Sequence, residues 1–246
     1  MSRIEGKVAL VTGANRGIGK AFVEELLAAG ATKVYATARK TASLNELVEK
    51  SDGRVVALEL DVTKPERIDA IAKEHGDVSL LINNAGIAGF AGIIDAKSCQ
   101  PARDEMETNY FGVLNMVRAF APVLGTNGGG AIVNLSSIAG HVNFPAIGSY
   151  SASKAAVHSL TQGVRAELAA QGTFVAGVYP GPVDTDMAES FPMDKASPNS
   201  VARTILKGLE AGEEDIYPDP VSAEMHAGLL GDPKAVERRA GEMLPA

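Results

Sequence analysis

The sequence lacks several features that mark common classes of protein. Its single cysteine, Cys99, cannot form an internal disulfide, which is typical of a reducing compartment. There is no run of lysine and arginine, and the net charge of −7 argues against a nucleic acid or an anionic membrane as the main partner. No segment approaches the roughly 18 apolar residues of a membrane span, and the amino-terminal apolar run is too short for a signal peptide. We therefore expect a cytoplasmic protein with neither of these partners.

Metal-ligand spacing, linkers and internal repeats are also absent. The four histidines and one cysteine show no spacing that predicts a metal site. The glycine-rich stretch 126–130 is short enough to be an ordinary connection between a helix and a strand. A chain of 246 residues, 46% of them hydrophobic, can bury a sizeable core. We predict a single domain over residues 1–246.

Strand-like and helix-like patterns alternate along the whole chain. Short β-branched and aliphatic runs predict strands, and apolar residues at helical spacing predict the helices between them. The predicted strands are 7–12, 33–38, 54–60, 79–84, 131–136, 173–180 and 215–218, and the main predicted helices are 18–30, 64–76, 101–124, 150–170 and 198–211. Because parallel strands need crossover helices, the pattern predicts an α/β fold: a doubly wound parallel sheet of about seven strands with helices on both faces.

The stretch TGANRGIGKA, residues 12–21, lies between the first predicted strand and the first helix. A P-loop for a nucleoside triphosphate needs a glycine where Ala14 stands and a hydroxyl where Ala21 stands, so the sequence argues against that class. Gly13, Gly17 and Gly19 fit a dinucleotide site, where a tight turn places the pyrophosphate over a helix N-terminus. A glycine-rich turn that binds nothing is the alternative.

Three later stretches carry polar side chains that could complete such a site. NNAG (83–86) and NLSS (134–137) end two predicted strands, and YSASK (150–154) opens the following helix. Tyr150 and Lys154 are one helical turn apart and share a face. Since open α/β sheets bind ligands at the carboxyl ends of their strands, we expect these segments to converge on one crevice.

In these motifs the chain resembles the short-chain dehydrogenase/reductase family. The resemblance rests on T-G-x-x-x-G-x-G (12–19), Asp61, N-N-A-G, a serine thirteen residues before the tyrosine (150 − 137), Y-x-x-x-K and PGPVDT (180–185). It runs from about residue 6 to residue 185, and in element order to about residue 218. The resemblance implies a Rossmann-fold enzyme that transfers a hydride between a nicotinamide cofactor and the alcohol or carbonyl carbon of a small molecule.

The resemblance also assigns the catalytic roles. Tyr150 would be the general acid/base, since a phenol with a pKa near 10 is a reasonable acid but a poor base near neutrality. Lys154 would favour the phenolate and hydrogen-bond the nicotinamide ribose. Ser137 would orient the carbonyl oxygen, with Ser136 as the competing serine, and Asn109 would hold a water in a proton relay. Each residue also has a structural alternative. Tyr150 and Lys154 could form a solvated helix face, Ser137 could cap a turn, and Asn109 could hydrogen-bond buried backbone groups.

The choice of dinucleotide depends on the end of the second strand. NAD sites usually place an acidic side chain about twenty residues after the glycines, and the sequence has none from Thr32 to Ser43. The family's acidic position falls on Ala38, followed by Arg39, and Arg16 is a second cation near the turn. Guanidinium groups suit a 2′-phosphate, so the sequence predicts NADP(H) unless both arginines are merely solvated.

With the resemblance included, the predicted cofactor-binding residues are Gly13, Asn15, Arg16, Gly17, Ile18, Gly19, Arg39, Asp61, Val62, Asn83, Ala85, Gly86, Tyr150, Lys154, Pro180, Gly181, Val183 and Thr185. The substrate is expected between residues 138–148 and a mobile loop at 186–198. Its wall would be formed by Ser137 and the apolar side chains of Phe144, Ile147, Met187, Phe191 and Met193. An apolar wall favours an aldehyde or ketone with hydrophobic substituents, and simple packing is the alternative. His141 could contact substrate or be an ordinary loop residue.

The carboxyl-terminal part departs from the family pattern. Residues 219–246 predict a helical tail without the V-D-G-G-like strand common in tetrameric members. We expect a homodimer formed through the helices near 101–124 and 150–170, with a tetramer as the alternative.

Two other functions stay open at this point. A non-catalytic NADP(H)-binding regulator would share the fold, although such proteins commonly lose the tyrosine and lysine. A sugar-nucleotide epimerase or dehydratase of the extended family would need a larger substrate domain than the roughly 60 residues after Thr185 provide.

Overall fold

A computed structural model of the chain describes residues 3–244. Its seven strands form one parallel sheet in the order β3-β2-β1-β4-β5-β6-β7. The strands are β1 (Val8–Val11), β2 (Lys33–Ala38), β3 (Val55–Glu59), β4 (Leu80–Asn83), β5 (Ala131–Leu135), β6 (Phe174–Val178) and β7 (Asp215–Ile216). The predicted doubly wound sheet of about seven strands is confirmed, and the strand order reverses between β1 and β4. Ligands bind at such a reversal in open α/β sheets.

Helices cover both faces of this sheet. They are α1 (Gly17–Ala28), α2 (Asn45–Glu49), α3 (Pro65–Glu74), α4 (Gln100–Glu105), α5 (Gly112–Thr126), α6 (Gly148–Leu168), α7 (Pro198–Ala211), α8 (Pro220–Gly231) and α9 (Pro233–Gly241). One core layer joins the sheet to α1 and α7, with Phe22 and Ile205 fully buried. The other joins it to α3, α5 and α6, with Ile68 and Phe120 fully buried. Burial on both faces explains why the strands read as continuous apolar runs.

The elements differ from the predicted ones in three places. The predicted helix 101–124 is interrupted by a π-helical turn, Met106–Phe111, between α4 and α5. The short helix α2 was not predicted, and β7 pairs over only two residues. Within residues 3–244, α8 and α9 follow β7, and no helix is long and apolar enough to cross a membrane.

Candidate active site

The glycine-rich turn connects β1 directly to α1 at the reversal of the sheet. An added Cβ on Gly19 would collide with the carbonyl oxygen of Gly13 and the amide of Asn84, so only glycine fits this approach. Within the described chain, no side chain caps α1 and its first turn contains no acidic residue. The N–H groups and positive dipole end of α1 are therefore free for an anion, which fits a pyrophosphate.

Thr12 and Asn84 tie this turn to the NNAG segment. The hydroxyl of Thr12 accepts the backbone N–H groups of Asn84 at 2.9 Å and Ala85 at 3.0 Å. The amide of Asn84 donates back to the carbonyl oxygens of Thr12 at 2.8 Å and Gly13 at 3.1 Å. The two segments thus form one hydrogen-bonded unit. Neither side chain was among the predicted site residues, although both lie inside the motifs.

The two predicted phosphate-binding arginines are both exposed. Arg39 directly follows the buried Ala38 at the end of β2, where a carboxylate would otherwise face a ribose. Arg16 donates to the carboxylate of Asp186 at 2.8 Å, and the two side chains are 65% and 70% exposed. An exposed pair of this kind contributes about 1 kcal/mol or less, so Arg16 can readily exchange Asp186 for a phosphate.

The predicted adenine segment follows β3. The Asp61 carboxylate accepts the backbone N–H of Thr63 at 3.0 Å and its hydroxyl at 2.8 Å. Burial works to raise the pKa of Asp61, but the hydrogen bonds from Thr63 and the charge of Arg39 outweigh it and lower the pKa. Asp61 is thus held ionised in a fixed orientation, and the buried Val62 packs against Gly112.

The buried side chain of Asn83 is part of a hydrogen-bond network. Its amide donates to Asn134 at 2.8 Å, and Asn134 donates in turn to Thr161 at 3.1 Å. This network joins β4, β5 and α6. The Oδ1 of Asn83 is buried and has no protein partner among the described residues.

Tyr150, Ser137 and Lys154 converge at the start of α6. Ser137 hydrogen-bonds the phenol of Tyr150, and the Lys154 ammonium lies 5.6 Å from the Tyr150 ring centroid. The Lys154 side chain is buried and donates to the carbonyl of Leu135 at 2.9 Å. A Cβ placed on Gly86 would lie 3.2 Å from Asn109 Oδ1 and 3.4 Å from Lys154 Nζ. The structure therefore brings the four predicted catalytic residues to the NNAG segment.

Burial is the largest cause of the pKa shifts of Tyr150 and Lys154. It raises the pKa of Tyr150 to about 12; the hydrogen bond with Ser137 opposes the rise and the negative charge of Glu105 adds to it. Burial lowers the pKa of Lys154 to about 8. Desolvation thus governs the pKa of the tyrosine in the protein alone, and the expected stabilisation of the phenolate by Lys154 together with the oxidised nicotinamide stays a prediction. Tyr150 is held as the neutral phenol, the form of a general acid.

The two candidate serines have different partners. Ser136 is buried and donates to the carbonyl oxygen of Lys154 in α6 at 2.8 Å. Ser137 donates to the Pro180 carbonyl at 3.3 Å and caps a short 3₁₀ helix by accepting the Ala139 N–H at 3.1 Å. Ser137 thus acts as a turn cap and also reaches Tyr150, whereas Ser136 does not.

Asn109 occupies the π-helical turn between α4 and α5, a feature frequent at functional sites. Its Oδ1 accepts the N–H of Ile87 at 2.9 Å, and its amide donates to the Ile87 carbonyl and the Ser153 hydroxyl, both at 2.9 Å. Every polar atom of the side chain is thus engaged by protein. The side chain fixes the segment after NNAG against α6.

The PGPVDT segment lies beside the same group. The Gly181 N–H donates to the buried carboxylate of Asp219, which also caps α8. Val183 is buried, and the methyl group of Thr185 lies 3.0 Å from the Cβ position of Gly17. The segment therefore runs from the group around Tyr150 to the glycine-rich turn.

The predicted apolar wall has a third side that was not predicted from the sequence. Phe144, Ile147, Met187 and Phe191 are all partly buried, and Met193 is 44% exposed. The loop after β4 brings Phe90 to Phe191, with ring centroids 6.1 Å apart. Apolar residues between glycines, in AGFAGII at 88–94, are a sequence signal that could have indicated this loop.

His141 belongs to a cluster of histidine and tyrosine rings. Its ring lies 4.5 Å from His158 and 4.4 Å from Tyr179, and its Nε2 is 3.3 Å from the hydroxyl of Tyr217. Burial, together with the charges of His158 and His226, lowers its pKa to about 4.

No group of three or more His, Cys, Asp or Glu side chains within residues 3–244 could hold a metal ion.

Comparison with known proteins agrees with this geometry. The sequence profile of the short chain dehydrogenase family matches residues 7–196. The chain is 33% identical to the 3-oxoacyl-(acyl-carrier-protein) reductase FabG of Vibrio cholerae, over 95% of this chain and 87% of that protein. It is 30% identical to the NADP-dependent 3-hydroxy acid dehydrogenase of Schizosaccharomyces pombe, over 93% and 96%. A short chain dehydrogenase from Burkholderia cenocepacia, crystallised with NADP, superposes with a TM-score of 0.93 at 43% identity, covering both chains fully.

Proposed function

This chain belongs to the short-chain dehydrogenase/reductase family, and from that premise we propose that it is an NADP(H)-dependent oxidoreductase that interconverts a carbonyl compound and an alcohol. The observation that carries the proposal is the meeting of Tyr150, Ser137 and Lys154 beside the glycine-rich turn. The two curated relatives described above are named a reductase and a dehydrogenase, which supports the same reaction type.

The residues at the end of β2 support NADP(H) over NAD(H). Ala38 provides no carboxylate for a ribose diol, and Arg39 and Arg16 provide two exposed guanidinium groups for a 2′-phosphate. The N-terminus of α1 would hold the pyrophosphate. The Burkholderia cenocepacia structure contains NADP, and it has the highest identity of the relatives described above.

The protein's own residues would handle the proton and orient the substrate. Bound NADPH supplies the hydride that reduces the carbonyl carbon. Tyr150 donates its phenolic proton to the carbonyl oxygen, and its raised pKa keeps that proton available at neutral pH. Ser137 hydrogen-bonds the same oxygen and stabilises its developing charge. The four partly buried apolar residues Phe144, Ile147, Met187 and Phe191 would receive the hydrophobic substituents.

A screen of aldehydes, ketones and quinones, followed by the loss of NADPH absorbance, tests this function. We expect turnover of at least one apolar carbonyl compound, with kcat/KM well above the value obtained with NADH. Arg39→Ala should reduce that preference by roughly ten- to a hundredfold, because a charge-assisted pair contributes about 1.5–3 kcal/mol. Comparable kcat/KM with both cofactors would refute the assignment of NADP(H). Tight NADPH binding without any turnover would favour the non-catalytic regulator.

We also propose a homodimer formed through the long helices. The exposed Phe111, at the junction of the π-helical turn and α5, lies on one of the predicted contact helices. Light scattering on the purified protein measures its oligomeric state directly. A mass of 25.5 kDa, that of one chain, would contradict the homodimer.

A further inference from the structure

Four of the exposed large apolar side chains lie in the two loops beside the candidate site. Phe90, Ile93 and Ile94, in the loop after β4, are 46%, 64% and 94% exposed. Met193, in the facing loop, is 44% exposed. Burying such side chains is favourable, so a cluster of them on a surface marks a binding site when a ligand or partner is nearby. Here the neighbouring feature is the group around Tyr150.

The loop after β4 contacts both the start of α6 and the loop after β6. At one end, the Cγ1 of Ile93 lies 2.7 Å from the Cβ position of Gly148, two residues before Tyr150. At the other end, Phe90 faces Phe191 with ring centroids 6.1 Å apart and an interplanar angle of 55°. The Phe90 and Phe191 rings, which together we call the aromatic slot, are therefore continuous with the substrate side of the crevice.

Phe90 has a backbone conformation that is unfavourable for a bulky residue. Its φ is +49°, and in residues 3–244 the only other non-glycine residue with positive φ is Asp52. Aspartate tolerates this region, whereas a bulky side chain there is a genuine outlier. The backbone N–H of Gly89, the residue before Phe90, donates at 2.7 Å to the fully buried carboxylate of Glu105 in α4. A buried acceptor thus anchors the turn that presents an exposed aromatic ring, and such strain is typical of ligand-binding segments.

We propose that the aromatic slot binds a planar apolar group of the substrate, so that this enzyme prefers carbonyl compounds carrying an aryl or conjugated substituent. The inference rests on the proposed carbonyl reduction and makes its substrate class narrower. The two rings form a tilted aromatic pair with an interplanar angle of 55°, so a planar group would pack against their exposed surface and not between them. Phe90 is 46% exposed, which leaves part of its ring surface open to such a group. An aromatic group would gain more here than an aliphatic one, because aromatic pairs add attraction beyond area burial.

The test compares three methyl ketones in the complete enzyme with NADPH: benzylacetone, its ring-saturated cyclohexyl analogue, and butanone. The variants are Phe90→Ala and Phe191→Ala, with Leu230→Ala as the control, because Leu230 is an apolar side chain on α8 that is 77% exposed and lies outside both loops. We expect the wild type to prefer benzylacetone over the cyclohexyl ketone. Each slot variant should lower kcat/KM for benzylacetone about tenfold, or about 1.4 kcal/mol, and leave butanone within twofold. The double variant should lose little more than either single one, because the two rings act together.

The outcomes separate this inference from the proposed function. Reduction of butanone and benzylacetone with unchanged relative kcat/KM in both slot variants would overturn the aromatic slot and leave carbonyl reduction intact. A change in oligomeric state on size exclusion, without a change in selectivity, would assign the patch to self-association and also overturn it. If none of the ketones is reduced, carbonyl reduction fails for them. Saturation-transfer NMR of benzylacetone then decides: a phenyl signal that disappears in Phe90→Ala supports the slot, and a phenyl signal that persists there refutes it.

Discussion

Replacing Lys154 with methionine should make the protein more stable at neutral pH and inactive. Burial lowers the pKa of Lys154 from 10.5 to about 8. A difference of about 2.5 units corresponds to roughly 3 kcal/mol that the folded state loses by carrying this charge below pH 8. Methionine has a similar length and no charge, so it removes this penalty. It also removes the ammonium beside Tyr150, and with it the group predicted to hold the cofactor ribose.

The Lys154→Met substitution also removes one hydrogen bond. The ammonium donates to the carbonyl of Leu135 at 2.9 Å, and leaving that buried acceptor unpaired costs about 1–2 kcal/mol. The net gain expected at pH 7 is therefore about 1–2 kcal/mol. Because the folded pKa lies below the unfolded one, the unfolded wild type binds more protons between pH 8 and 10.5, and wild-type stability rises there. The advantage of the variant should shrink across that window, pass through zero at roughly pH 9–10, and become a deficit of about 1–2 kcal/mol near the upper end, where only the lost hydrogen bond to Leu135 remains.

Urea denaturation at pH 7, 8, 9 and 10, followed by far-ultraviolet circular dichroism without added cofactor, measures the free energy of unfolding of the wild type and the variant. It therefore tests both the gain at pH 7 and its change with pH. Lys207→Met is the matched control, since Lys207 is an exposed lysine on α7. Its effect should stay within about 0.5 kcal/mol at every pH. A Lys154→Met variant that is less stable than the wild type at pH 7, by an amount independent of pH, would refute the reasoning about the buried charge.

Three further variants test other contacts of the site. Ser137→Ala should lower kcat/KM for carbonyl reduction by about 100-fold, whereas Ser136→Ala should keep activity and lower unfolding stability by about 1 kcal/mol, because Ser136 bonds only the backbone of α6. Asp186→Asn should tighten NADPH binding up to about fivefold in calorimetry and leave NADH unchanged, since it frees Arg16; equal effects on both cofactors would contradict this. Gly19→Ala should weaken binding of both cofactors and lower the urea midpoint, because its Cβ meets the Gly13 carbonyl.

The sheet and the positions of its motifs were predictable because they depend on local patterns. The strands β1, β2, β4, β5 and β6 are buried on both faces, so their apolar runs are nearly continuous, and the loops at the strand ends carry the polar motifs. The spacing from Ser137 to Tyr150 favours Ser137 over Ser136 as the substrate-orienting serine, and in the structure Ser137 lies beside the Tyr150 phenol.

The remaining features depend on contacts between residues far apart in the chain. Arg16 pairs with Asp186, 170 residues later, and Phe90 meets Phe191 across two loops. The direction of the Tyr150 pKa follows from burial by several elements, which a Y-x-x-x-K spacing does not encode. The π-helical turn at Asn109 was missed because its residues keep an apolar pattern compatible with an ordinary helix.

The central claim is that Tyr150 supplies the proton for carbonyl reduction in an NADPH-binding site built from the glycine-rich turn. Tyr150→Phe removes one hydroxyl and keeps the ring, so the most direct measurement is its turnover with NADPH alongside its dissociation constant for NADPH. We predict a dissociation constant within about threefold of the wild type and a loss in kcat of at least about 100-fold, as for removal of a general acid. Full retention of turnover by the phenylalanine variant, with NADPH bound equally well, would contradict the account.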